Sequence, residues 1–118
     1  MSTSTNQAMA EQRRDVQRLE ITAKFFRGLA DPTRLRIVEL LLDEGEQSVS
    51  NLVARLGQSQ GRISSHLACL RWCGYVSSRR EGKYVYYQVT DERIATTIEI
   101  ARGIIIDHAE AILTCTRM

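Results

Sequence analysis

One proline and seven glycines in 118 residues leave little to interrupt a helix. Set against many Leu, Ile, Ala, Arg and Glu, that scarcity tilts the expectation toward a mainly helical chain. No apolar run approaches the roughly 18 residues of a membrane span, so no membrane partner is expected. Cysteine is sparse and odd in number, at three, with no CxxC and no Cys/His cluster of zinc spacing. The absence of a glycine-rich phosphate loop and of a nucleophile paired with a base argues against an enzyme. Residues Met1–Gln7 are polar and lack the apolar stretch of an export signal. They read as the start of a disordered arm over residues 1–14, and the chain is expected to be cytoplasmic with reduced thiols.

What is present fits one domain, with a core large enough to need neither disulfide nor metal staples. The net charge of +2 says little until its distribution is read. Between Ser59 and Tyr87 stand Arg62, Arg71, Arg79, Arg80 and Lys83 against Glu81 alone, while the rest of the chain is net acidic. Positive charge gathered in one quarter of the chain is where a polyanion would sit.

Hydrophobic periodicity predicts the elements. Val16, Leu19, Ala23, Phe26 and Leu29 recur at helical spacing from about Asp15, with Gly28 weakening the last turn. Asp31 and Pro32 form an N-cap and first-turn pair for a second helix carrying Leu35, Val38, Leu41 and Leu42. Ser48 or Ser50 caps a short third helix with Leu52, Val53 and Leu56, stopped by Gly57. Ser59 then caps a fourth, whose Ile63, Leu67 and Leu70 face the core and which Gly74 ends. Two short helices joined by a few residues containing Gly have the spacing of a helix-turn-helix. Val- and Tyr-rich runs from Tyr75 to Arg80 and from Lys83 to Val89, around Glu81 and Gly82, predict a small β-hairpin with a basic tip. Thr90 or Asp91 opens a long helix reaching about Thr114, with Ile94, Ile98, Ala101, Ile105, Ala109 and Ile112 on one side. A terminal helix that apolar in so small a domain predicts packing against a second copy. The folded domain is expected over residues 15–114, with a tail at 115–118.

Three constellations carry chemistry. On the fourth helix Gln60, Gly61, Ser64, Ser65 and Arg71 lie away from the core stripe. Gln suits adenine, Ser bonds donors or acceptors, and short side chains let a helix sit deep in a major groove. Ser59 and Arg62 lie where helix N–H groups and a cation favour phosphate, and Arg79, Arg80 and Lys83 at the hairpin tip follow the adjacent backbone. The bland alternative is a solvated helix face beside a basic turn; the combination favours double-stranded DNA. On another side of the same helix Cys69 and Cys73 project together, one turn apart. Soft ions want three or four ligands, and Cys115 beyond the last helix is the remaining thiol. Buried structural thiols or a redox dithiol are the competing readings. Finally, Asp107, His108 and Glu110 read as a solvated, charged helix end rather than a metal site, and His66 lies beside the thiols as a ligand, a neighbouring donor or a core-edge residue.

Three strings, Leu29–Ile37, Ser64–Arg71 and Glu81–Tyr87, make the chain from about Phe25 onward resemble the ArsR/SmtB family of winged-helix, metal-responsive repressors. The resemblance implies a winged helix-turn-helix homodimer built on its N- and C-terminal helices, which binds a two-fold operator and is released by an inducer. One site type in that family places thiols after Glu46, but here Gln47, Ser48, Val49 and Ser50 stand there, so it is absent. Another, across the last helices, finds Asp91 but also Arg93 where His is wanted, with His108 out of alignment. A third, in members that sense cadmium and lead, uses two thiols four apart on the reading helix and one in the tail. Cys69, Cys73 and Cys115 match those positions. The implied inducer is a soft ion of the Cd(II), Pb(II) or Hg(II) class ahead of As(III) or Zn(II). A redox- or persulfide-responsive repressor using the same cysteines is the alternative.

Overall fold

The computed structural model describes residues 2–117. Its elements are α1 (Ser2–Leu29), α2 (Pro32–Glu44), β1 (Gln47–Ser48), α3 (Val49–Leu56), α4 (Gln60–Trp72), β2 (Val76–Glu81), β3 (Tyr84–Val89) and α5 (Arg93–Thr114). The mainly helical expectation and the helix-turn-helix stand, with local chemistry fixing the boundaries. Asp31 accepts from the amides of Thr33 at 2.8 Å and Arg34 at 3.1 Å, with Pro32 in the first turn of α2. Ser48, not Ser50, caps α3 by accepting from the Asn51 amide, and Gly57 closes it in the left-handed conformation at φ 66°. Ser59 caps α4 through the Arg62 amide.

The end of α4 is a Schellman turn. The Gly74 amide reaches the Arg71 carbonyl at 3.1 Å and the Tyr75 amide reaches the Leu70 carbonyl at 2.9 Å, with Gly74 at φ 82°. Cys73 is the capping residue of that turn. Tyr75, the residue that leaves it, is buried like Leu70.

The core is formed by Ile37, Val38, Leu40 and Leu41 of α2, Leu52 of α3, Ile63, Leu67 and Leu70 of α4, Tyr75 and Val76, and Ile94 and Ile98 of α5. The sheet is antiparallel in the order β1-β3-β2, with Gln47 opposite Tyr87 and Val76 opposite Val89. The hairpin turn is Gly82 and Lys83, since Glu81 pairs with Tyr84 as the last residue of β2. The two-residue β1 adds a third strand that no local pattern announced.

The main correction concerns the N-terminus. The stretch expected as a disordered arm over residues 1–14 is helical from Ser2 onward. Nothing before Gly28 breaks a helix, and Ala8, Met9, Ala10, Glu11, Gln12 and Arg13 are strong helix formers. Met1 of that arm and Met118 of the tail lie outside the described residues. A second adjustment is at α5, whose start at Arg93 follows Asp91; Asp91 accepts from the Arg93 amide at 2.9 Å. Thr90 instead donates to the Gly74 carbonyl at 2.7 Å, tying the hairpin's exit to the end of α4.

Much of α1 and the outer half of α5 is left bare within one chain. Met9, Val16, Leu19 and Phe26 on α1 and Ile100, Ile104, Ile105, Ile106, Ile112 and Leu113 on α5 are exposed. Met9, Gln12, Val16, Leu19, Ala23 and Phe26 alternate three and four residues apart, the spacing of a helix–helix seam.

Candidate nucleic-acid interface and thiol site

The outward face of α4 carries Gln60, Gly61, Arg62, Ser64, Ser65 and Arg71, all exposed. No atom lies within 4 Å of where a Cβ at Gly61 would stand, so the glycine relieves no internal crowding. Its helix-weakening, roughly 1 kcal/mol against Ala, is understandable if something outside the chain approaches closely. Between α4, the start of α3 and the hairpin lies a cleft of about 380 Å³. Gln60 and Ser64 meet Lys83 there, together with Ser50, Tyr84 and Tyr87. Ser50 and Tyr84 are additions to the sequence-based set. Ser50 was legible only as a cap candidate, and Tyr84 only as a strand residue.

The hairpin cations divide. Arg79, expected to follow a DNA backbone, is exposed and also engaged within the chain. Its guanidinium donates to Glu46 at 2.9 and 2.6 Å and to Glu81 at 2.8 Å, and it lies 4.7 Å above the Tyr86 ring centroid. Arg79 in turn holds the Glu46 carboxyl below the usual carboxylate range. Lys83 lies over the Tyr84 ring at 5.3 Å. Arg80 is exposed and forms no ion pair among the described residues.

Cys69 and Cys73 stand side by side, one turn apart at the end of α4, half-buried and exposed respectively. Burial and then the Cys69 sulfur push the Cys73 thiol above its ordinary range, with Lys24 and Arg34 pulling the other way. Two adjacent, accessible sulfurs suit a soft ion, but they supply only part of a three-ligand set. Cys115 follows α5, exposed and extended at φ −68°, ψ 120°. Among the described residues, no group of three or more Cys, His, Asp and Glu converges on a common point. His66 is turned to Arg34, with Nδ1 3.5 Å from Nη1. At His108 the backbone of α5 departs from helix, at φ −125° and ψ 18°, and Asp107 and Glu110 flank an open surface.

The thiol pair adjoins the end of α1. Buried Tyr75 packs its ring 5.1 Å from that of Phe25, and its hydroxyl donates to the Phe25 carbonyl. Burial, then the charges of Cys73 and Cys69, push the Tyr75 phenol up to about 12. Arg34 donates Nε to the Gly28 carbonyl at 2.7 Å and Nη2 to the Arg27 carbonyl at 3.1 Å. Three carbonyls of the last turns of α1 are therefore held by side chains from α2 and from the turn after α4.

A reading helix set on a helix-turn-helix, beside a three-stranded wing, defines a winged helix-turn-helix DNA-binding regulator. Residues 31–78 match the model of the bacterial regulatory protein, arsR family. The chain is 48% identical over 99 residues to a probable mercury resistance operon repressor of Streptomyces lividans, covering 84% of this chain and 78% of that one. It is 48% identical over 67 residues to the arsenical resistance operon repressor of Escherichia coli, covering 57% of each. Among solved structures it is similar to a homodimeric winged helix-turn-helix DNA-binding domain from Mycobacterium bovis, with a TM-score of 0.72, 29% identity, and coverage of 80% of this chain and 87% of that one. The chain belongs to the ArsR family of transcriptional repressors, and is a DNA-binding regulator rather than an enzyme. No helix among the described residues is long and apolar enough to cross a membrane.

Proposed function

We propose that this protein is a homodimeric repressor that holds a two-fold operator in its metal-free form and releases it on capturing a thiophilic ion through Cys69, Cys73 and Cys115. The observation that carries this reading is the pair of adjacent, accessible sulfurs on the helix that presents the DNA-facing side chains. The mercury-resistance name of the Streptomyces relative supports it and makes Hg(II) the first ion to try, followed by Cd(II) and Pb(II). The bare seam on α1 and the apolar outer half of α5 support the dimer, as does the homodimeric neighbour.

Among the described residues of one chain no three such ligands gather, which favours Cys115 of the partner subunit as the third ligand in this scheme. Such an ion ties α4 of one protomer to the end of α5 of the other. It favours a spacing of the two reading helices that no longer matches major grooves one turn, about 34–36 Å, apart. Coupling of about 1–3 kcal/mol, or 5–150-fold in affinity, is enough to switch a promoter. In this scheme Gln60, Ser64 and Ser65 read base edges, with Gly61 allowing close approach. Ser59, Arg62, Arg71, Arg80 and Lys83 meet phosphates.

The test is titration of the reduced dimer with Hg(II) and Cd(II). The expected result is an ultraviolet thiolate-to-metal band that saturates at two ions per dimer, with release of a duplex selected by the metal-free protein. Trp72, the single tryptophan, is 89% exposed and adjacent to Cys73, so its fluorescence reports the same event. Release by oxidant alone, with no response to either ion, would redirect the reading to a redox or persulfide switch on these cysteines.

A further inference from the structure

The turn that carries Cys73 also carries the residue that anchors the end of α1. Cys73 caps α4, Gly74 takes the left-handed position, and Tyr75 leaves the turn with its amide bonded to Leu70. The Tyr75 ring is packed closely on the side facing α1. It is 1% exposed, lies against Phe25, and occupies the space where a side chain on Gly28 would otherwise be. A Cβ at Gly28 would fall 2.6 Å from Cε2 of Tyr75, so α1 and this ring are in contact at the van der Waals limit. The Tyr75 hydroxyl adds a directional bond to the Phe25 carbonyl.

We propose that Tyr75 is the positioning residue that transmits ion capture at Cys69 and Cys73 to α1, through its hydroxyl bond to Phe25. The proposal rests on the metal-sensing reading above and specifies how that site is regulated. An ion drawing the two sulfurs to a common point constrains the capping residue, and the Schellman turn passes the displacement to Tyr75 two residues on. The ring and hydroxyl then rotate the end of α1. About 35 Å of helix separates Phe25 from Ser2 at 1.5 Å per residue, so a tilt of about 5° displaces the far end by about 3 Å. A shift of that size along the α1 seam resets the relation between protomers, and with it the separation of the two α4 helices. Arg34 braces the joint, reaching His66 of α4 on one side and the end of α1 on the other. It fixes the Gly28 and Arg27 carbonyls to α2 and leaves Phe25 to Tyr75.

The decisive variant is Tyr75→Phe in the full-length dimer, which keeps the ring against Gly28 and deletes only the hydroxyl. The expected result is an unchanged Hg(II) and Cd(II) charge-transfer band. Metal-free affinity for the selected duplex should stay within about threefold of wild type, and the ion-induced loss of affinity should shrink from the typical 5–150-fold to less than about twofold. A merely structural tyrosine would lower stability without separating binding from release. Undiminished release in Tyr75→Phe overturns the proposal. A second readout needs no variant: hydrogen exchange of wild-type amides 26–30 must change when Cd(II) binds, and unaltered exchange there also overturns it. A wild type with no charge-transfer band removes the functional reading itself, and the proposal with it.

Discussion

Arg79 on the wing and Glu46 at the start of the sheet, 33 residues apart, are joined by two hydrogen bonds of 2.9 and 2.6 Å. The pair fastens β2 to the segment that leads into β1 and α3, with the guanidinium sandwiched between that carboxylate, Glu81 and the Tyr86 ring. Two neighbouring arginines of the same hairpin thereby acquire different tasks: one orders the wing, the other faces outward.

Salt dependence separates those tasks. Arg80→Ala is expected to reduce the slope of log affinity against log salt by about one, as loss of a phosphate contact should. Arg79→Ala is expected to weaken binding by loosening the wing while leaving the slope near wild type. Fluorescence anisotropy across a salt series measures both, and a reduced slope for Arg79→Ala would place that cation on DNA after all.

Gly28→Ala examines the joint between α1 and the end of α4. Helix propensity alone would favour alanine by about 1 kcal/mol. The added methyl meets the buried Tyr75 ring at 2.6 Å, and overpacking of this kind costs about 1–3 kcal/mol, so the melting temperature should fall. A raised melting temperature would show that the ring yields.

That glycine illustrates what the sequence reveals and what it withholds. Gly28 reads locally as a weak last turn, whereas its reason is a tyrosine 47 positions later. Features fixed by nearest-neighbour chemistry were legible: the Asp31 and Pro32 cap, the Gly57–Ser59 turn, the Ile63, Leu67 and Leu70 stripe, and the hairpin. The two-residue β1 was not, because its pairing with Tyr86 and Tyr87 is a tertiary contact without a periodic signature. The N-terminal half of α1 was obscured by its polarity, although its residues favour helix. Of the candidate site, the adjacency of Cys69 and Cys73 follows from helical geometry alone. The engagement of Arg79 by Glu46 needs the fold.

Ion affinity should rise with pH. In the proposed site thiolates are the ligands, and the Cys73 thiol is raised by burial and by Cys69, so capture near neutral pH would expel protons. Below the thiol range protons compete with the ion, and affinity is expected to change by about tenfold per displaced proton per pH unit. Competition titrations at about pH 6, 7 and 8 measure this, and a flat profile would mean that the sulfurs are already ionised or not ligands.

Mixed dimers locate the third ligand. Neither Cys69→Ser nor Cys115→Ser homodimers should form a complete site. Exchanging subunits between them restores one intact site per mixed dimer if Cys115 acts across the interface, and none if it acts within its own chain. Recovery of the charge-transfer band at about half the wild-type intensity in the isolated mixed dimer, or about a quarter in the unseparated exchange mixture, is the expected outcome.

The most direct test of the whole account is operator affinity of Cys69→Ser measured with and without Hg(II). The substitution should leave metal-free binding within about twofold of wild type, since Cys69 lies in the last turn of α4 and is not one of the proposed DNA contacts, and should abolish the ion-induced loss of affinity of about 5–150-fold. Release of the duplex by Cys69→Ser at the same Hg(II) concentration as wild type would contradict it.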